Sequence, residues 1–303
     1  MKRCVIITLA ANVLFGLIPV YWKFLDGVST SYILGQRILW SVPFTLLIVA
    51  LSGNLPLLKA AVKDRRALGL TALAGVVITG NWYLYIWAVN AGMVMETSMA
   101  YFIAPLIVFL LSITFFREKA SSNEIIAVYL AAAGILIYTV WMGIVPIVSL
   151  GLAVSFSVYG ALKKAAGLEP AVSLTLEMTV VLPFALVFLA FTSFGPQGAL
   201  FGLSVTELIL LVGTGVISAL PLWLYSFGVK GLPFSLVGFL QYVWPTTSLV
   251  LSVAAFHEPL SLPKLVCFLF IWTGLAFFSV PKLLAGRRPR HLRRASKAWF
   301  FPD

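Results

Sequence analysis

Residues 96–118 read ETSMAYFIAPLIVFLLSITFFRE, a largely apolar run with a proline, Pro105, in its middle. A bilayer core of roughly 30 Å needs about 20 apolar residues in a helix, so the run can span a membrane. The pattern returns 140 positions later. Residues 236–258 read LVGFLQYVWPTTSLVLSVAAFHE, which sets Pro245 on Pro105 and Glu258 on Glu118. The register continues outward without a gap. Lys23 falls on Lys163, Arg37 on Glu177, Pro43 on Pro183, Pro56 on Pro196, Gly75 on Gly215, Tyr85 on Tyr225, Ser121 on Ser261 and Gly134 on Gly274. A chain that repeats itself at one fixed offset is a duplicated unit.

Composition places that unit in a bilayer. Of 303 residues 61% are hydrophobic and only 10% charged, where soluble domains carry about 25% charge. No stretch is polar enough for a separate soluble domain. The net charge of +11 does not signal nucleic acid, because the basic residues lie between apolar runs and form no DNA- or RNA-reading motif. The two cysteines, Cys4 and Cys267, sit in or beside apolar runs and make neither a disulfide framework nor a metal-ligand spacing. The N-terminal run continues through Trp22 with no clear cleavage site, so it reads as an uncleaved first span.

Ten spans fit the chain, at about 4–24, 31–51, 67–89, 94–116, 122–142, 146–162, 171–192, 206–229, 234–256 and 264–281. All are expected to be helices, since only helices and closed barrels satisfy the backbone in lipid. Ser121 and Glu124 have the spacing of a capping box at the start of the fifth. With the N-terminus inside, all of the 21 Lys and Arg except Lys23, Arg37 and Lys264 fall in cytoplasmic segments, which sets both termini inside. Each copy holds five spans. Five is odd, so the second copy enters the membrane upside down, as in many secondary transporters. The expected fold is all-α and integral to the membrane: a first repeat over 1–142, an inverted second over 143–282 and a basic cytoplasmic tail over 283–303. The tail reads as an anchor on anionic lipid or as a docking segment.

Charge inside a span is costly and marks a cavity or a partner. Lys23, Arg37 and Glu96 fall toward the outside, Lys163 and Glu177 toward the inside. Opposite charges at the equivalent positions Arg37 and Glu177 are what two gates made from one scaffold require. For the lysines, snorkelling to headgroups is the plainer expectation. Glu96 reads either as the ion-pair partner of Arg37 or as a boundary carboxylate. Pro105 and Pro245 each free a carbonyl four residues earlier, at Tyr101 and Gln241, whose side chains share a stripe with the prolines. Interrupted helices are where transporter folds place their solute. Asn81 and Tyr85 lie one turn apart and face either a polar cavity or the interface. Gly75, Thr79, Gly134, Gly215, Ala219 and Gly274 suit close helix packing. No nucleotide-binding, metalloprotease or nucleophile-elbow motif occurs, and no cofactor is expected.

The segments GNWYLYIWAVNAG (80–92), ETSMAYFIAPL (96–106), GLAVSFSVYGALKK (151–164) and GFLQYVWPT (238–246) closely resemble the RarD branch of the EamA, or drug/metabolite transporter, superfamily. The likeness runs over about residues 5–282. It implies ten spans in two inverted fives and an exporter-like permease for small organic solutes in the bacterial inner membrane. Tyr159, within the third of these segments, joins the candidates for the solute path. Ala104 stands where the branch pattern leads one to expect asparagine, and Trp244 where a small residue is expected. The two are repeat equivalents, so the site should be less polar and narrower.

The reading is a secondary transporter of small metabolites or drugs working by alternating access. Its partners are a small-molecule substrate, the lipid bilayer and a coupling ion, with a proton the first candidate. A polytopic enzyme acting on lipid-like substrates and a non-transporting sensor subunit are the alternatives. The first would need clustered acids or histidines at one membrane face, the second a soluble domain or partner motif, and neither feature occurs.

Overall fold

A computed structural model describes residues 2–25, 27–91, 93–143, 147–194, 203–254 and 261–287. Twelve helices follow one another: α1 (Lys2–Lys23), α2 (Thr30–Leu51), α3 (Leu55–Lys63), α4 (Arg65–Asn90), α5 (Val94–Thr114), α6 (Ser122–Met142), α7 (Ile147–Ala166), α8 (Pro170–Phe194), α9 (Val205–Gly231), α10 (Phe234–Gln241), α11 (Val243–Ala254) and α12 (Leu262–Arg287). Eight runs are long and apolar enough to cross a bilayer, with α10 and α11 counted as one. Met99–Thr114 and Leu262–Phe278 are shorter apolar helices. Together these give the ten expected spans, five in each copy. Large apolar side chains such as Phe184, Phe191, Tyr129 and Val140 point outward, as lipid requires and water would penalise.

Local chemistry sets the helix ends. Ser121 accepts the Glu124 N–H while the Glu124 carboxylate accepts the Ser121 N–H, a complete capping box. Ser204 and Glu207 repeat the device at α9. Gly143, at the end of α6, is left-handed with φ +65°, a conformation that costs glycine little. The short helix α3 was not among the expected elements. Pro56 suits its first turn, and it exposes Leu55, Leu57 and Val62.

The described residues fall into two compact units. The larger comprises Met1–Glu118 with Ile144–Leu260 and the smaller Lys119–Gly143 with Ser261–Asp303. Each draws on both copies of the repeat. In the larger unit the packing is paired: α4 lies on α7 as α9 lies on α1, α2 on α9 as α8 on α4, and α5 on α7 as α10 and α11 on α1. Helices α2 and α8, which are repeat equivalents, pack on each other. In the smaller unit α6 packs on α12.

Glycines permit this closeness. A Cβ on Gly75 would stand 2.7 Å from the Glu177 carbonyl oxygen, and one on Gly215 would meet the Trp40 backbone. In the smaller unit a Cβ on Gly134 would lie 3.1 Å from the Cys267 carbonyl, and one on Gly274 would lie 2.8 Å from the Ala127 carbonyl. Ala127 and Cys267 are themselves 140 residues apart, so the two contacts are copies of one. Small residues that let backbones approach are the usual basis of helix association in lipid.

The two proline-containing runs differ. Helix α5 passes through Pro105 without a break, whereas the equivalent run is divided at Tyr242 into α10 and α11. At the division the Tyr242 N–H turns to the Phe239 carbonyl at 3.3 Å. The expected single helix over 234–256 is therefore two.

Candidate functional site

The larger unit holds a partly open cavity of about 470 Å³, within the range of small-molecule sites, about 300–1,000 Å³. Helix α1 supplies Phe15, Ile18 and Trp22, α2 supplies Arg37, and α4 supplies Asn81, Trp82 and Tyr85. Helix α5 contributes Ala100, Tyr101 and Ala104, and α7 contributes Leu152, Ala153 and Phe156. Leu222 of α9, Gln241 of α10 and Trp244 and Ser248 of α11 complete the lining.

Trp244 is the hub of an aromatic wall. Its ring lies 4.6 Å from Phe15 in a stacked arrangement, 4.2 Å from Tyr101 and 5.8 Å from Phe156. Ala104, its repeat equivalent, also lines the cavity and leaves space. Arg37 lies flat against the same volume, with its guanidinium carbon 4.0 Å from the centre of the Trp82 ring and 5.8 Å from that of Trp22. Such stacking stabilises a cation by about 0.5–2 kcal/mol. The Arg37 Nε has no hydrogen-bond partner, and among the described residues no carboxylate forms an ion pair with Arg37.

Two polar pairs repeat the same design. Gln241 Nε2 donates to the Tyr225 hydroxyl at 3.0 Å. Tyr85 and Tyr101 occupy the equivalent positions 140 residues earlier, with ring centres 6.5 Å apart. The Gln241 Oε1 is left without a partner. Asn81 lines the cavity, but its amide is committed: Nδ2 donates to the Leu152 carbonyl at 2.9 Å and to Ser155 Oγ at 2.8 Å, tying α4 to α7.

Glu177 does not line this cavity. It is fully buried and forms an ion pair with Lys163, whose side chain is 2% exposed. Ser173 Oγ donates to Glu177 Oε1 at 2.6 Å, and the Tyr159 hydroxyl donates to Oε2 at 2.9 Å. Lys163 also donates to Ser173 Oγ at 3.2 Å. Every acceptor and charge in the cluster is matched, the condition for burying an ion pair. Lys163 is thus not a snorkelling lysine. Ser173 and Glu177, one turn apart on α8, hold its ammonium inward.

A second polar junction joins α5, α7 and α10. Glu118 accepts the backbone N–H of Phe234 at 2.6 Å and of Ser235 at 2.9 Å. Helix α10 has Pro233 at its cap position and no side-chain cap of its own, so Glu118 supplies it from 116 residues away. Lys164 stands 3.6 Å from Glu118 and donates to the Leu232 carbonyl at 2.8 Å. Arg117 takes a left-handed φ of +51° just before Glu118, an uncommon state for a non-glycine residue.

Of the residues marked out by sequence, Arg37, Asn81, Tyr85, Tyr101 and Gln241 converge on the cavity, while Tyr159 and Glu177 meet in the buried cluster. Pro105 and Pro245 lie in the helices behind Tyr101 and Trp244, outside the lining. The side chains of Lys23 and Glu96 lie outside the described residues. Ala104 and Trp244, the pair marked by the resemblance, both line the cavity, whereas Glu118 was not singled out as a site residue. The duplication of Glu118 as Glu258 was the available signal.

A polytopic helical protein with an aromatic cavity and charges sequestered in its spans has the makings of a membrane transporter. The comparisons agree. The EamA-like transporter family matches residues 2–140. The chain is similar to "Uncharacterized transporter YojE" of Bacillus subtilis, 39% identical over 283 residues, covering 92% of this chain and 94% of that one. It is 33% identical over 287 residues to "Protein RarD" of Salmonella typhimurium, covering 95% and 98%. The Escherichia coli "Protein RarD" is 33% identical over 288 residues, covering 95% and 97%. A solved structure described only as "Crystal structure of protein" superposes with a TM-score of 0.69 at 17% identity, over 92% of this chain and 97% of that one. That likeness concerns the fold alone. The chain belongs to the EamA-like transporter family, in its RarD branch.

Proposed function

We propose that this protein is a permease that carries small organic metabolites or drugs through the aromatic cavity by alternating access, with export from the cytoplasm as its working direction. The observation that carries the reading is the cavity itself: about 470 Å³, built from helices of both copies, with an aromatic hub and one cation. The repeats 1–142 and 143–282 move against each other. Two conformations of near-equal energy follow when one structural unit is used twice in opposite senses.

The charged clusters act as closures. The Lys163–Glu177 cluster and the Glu118–Lys164 junction hold α5, α7, α8 and α10 together, and breaking them opens the path on that side. The protein sits in the bacterial inner membrane with both termini and the 283–303 tail in the cytoplasm. It moves its solute rather than transforming it, and a proton is the coupling ion, with Glu177 as its site.

The test is transport. A deletion strain and its complemented parent are profiled for uptake and efflux against a metabolite panel. Solutes that differ are then loaded with purified protein into liposomes for counterflow. Saturable, protein-dependent exchange supports the reading. A panel with no difference, together with no counterflow, overturns it.

A further inference from the structure

The cavity's charge is one-sided. Its described lining holds a single ionised side chain, Arg37, and seven aromatic ones: Phe15, Trp22, Trp82, Tyr85, Tyr101, Phe156 and Trp244. The guanidinium is braced on Trp82. Its Nε lacks a hydrogen-bond partner, and among the described residues no carboxylate pairs with it. The contrast with Glu177 is instructive. The repeat-equivalent charge has its counter-ion and both of its oxygens satisfied. Glu177 is complete within the protein, whereas Arg37 has no carboxylate among the described residues.

A cation set against low-dielectric aromatic walls attracts an entering anion more strongly than it would in open water. A guanidinium also offers a planar fork that matches a carboxylate with two parallel hydrogen bonds. Phe15 stacked on Trp244 at 4.6 Å and Tyr101 tilted by 37° against it at 4.2 Å form an apolar aromatic shelf in the same volume. Aromatic faces of this kind favour a second flat ring.

Resting on the transport reading above, we infer that the solute is an organic anion with a flat apolar body, its carboxylate on Arg37 and its ring against the Trp244 shelf. The unpartnered Gln241 Oε1 accepts from a donor on the solute where one is present. A cationic solute of the same shape is rejected by Arg37, and a neutral one gains only the shelf.

Three probes of one shape and three charges test this: 3-phenylpropionate, 3-phenylpropan-1-ol and 3-phenylpropylamine. Each is titrated at pH 7 against the purified full chain, with tryptophan fluorescence as the readout. The acid is expected to bind at least tenfold more tightly than the alcohol, and the amine more weakly than both. Arg37→Gln should bring the acid to the level of the alcohol while leaving the alcohol within twofold, which also shows that the variant is folded. Arg37→Lys keeps the charge but loses the fork and should fall between. Equal binding of acid and alcohol, preference for the amine, or no binding of any probe would overturn the inference. Counterflow with the solutes from metabolite profiling is scored separately. Exchange of a neutral or cationic solute would sink the anion assignment and leave the transport reading standing, whereas no exchange of any solute would sink the transport reading.

Discussion

Lys163 and Glu177 form an ion pair whose side chains are 2% and 0% exposed, one on α7 and the other on α8. Their repeat equivalents are Lys23 and Arg37, two cations. The duplicated scaffold therefore carries a neutralised pair in one copy and two positive charges in the other.

That pair gives the first prediction. Lys163→Met alone strands a buried carboxylate and should cost about 3–5 kcal/mol. The double change Lys163→Met with Glu177→Gln removes both charges and should recover most of the loss. Thermal unfolding of the purified proteins in one detergent measures both. The double variant, which strands neither charge, should also lose pH-driven solute accumulation while keeping passive exchange. Full pH-driven accumulation by that variant excludes Glu177 as the proton site.

The Glu118 junction gives the second. Glu118→Ala leaves two N–H groups at the start of α10 unsatisfied, and losing a cap costs about 0.5–2 kcal/mol. It also removes the counter-charge of Lys164. With the native free cysteines Cys4 and Cys267 changed to serine, a Ser235→Cys reporter should react faster with a water-soluble maleimide when Glu118 is alanine. An unchanged rate would show that the junction does not close this end.

Helix α4 offers an internal control. Gly75→Ala drives a methyl toward the Glu177 carbonyl at 2.7 Å, and overpacking of this kind costs about 1–3 kcal/mol. Gly80, five residues along, would place its Cβ with nothing within 4 Å. Gly80→Ala should be neutral or should stabilise the helix by about 0.5–1 kcal/mol. Melting temperatures that move in the same direction and by the same amount would contradict the packing.

Topology gives the fourth. A reporter fused after Lys164 should read cytoplasmic, and one fused after Gly195 external. Both on one side would end the proposal of five helices followed by five inverted.

The sequence carried the fold far because hydropathy and the 140-residue register are properties of the chain alone. The spans, the Ser121–Glu124 box and the close approaches at Gly75, Gly134, Gly215 and Gly274 were all legible there. Helix α3 escaped because its nine residues, LPLLKAAVK, are too few to cross a bilayer and lie with two lysines between two spans. The burial of Lys163 escaped because hydropathy places a lysine at a span end without saying which way it points. Asn81 escaped in part: its position in the cavity was readable, whereas its commitment to α7 depends on a neighbour about 70 residues away. Tyr85, Tyr101 and Gln241 could be placed on helix stripes, but the stacking around Trp244 is tertiary and leaves no local pattern.

The division at Tyr242 has a mechanical consequence. Helix α5 is one rod, whereas its counterpart is two rods meeting at a joint. A rod passes a displacement from end to end; a jointed pair absorbs it as an angle. Any rearrangement that bends these elements will concentrate the bend beside Trp244 and spare Ala104. The two copies thus differ in compliance as well as in charge, so two states that exchange the roles of the copies would not be exact mirror images. The ring of Trp244, two residues past Tyr242, would register that angle directly against Tyr101 and Phe15.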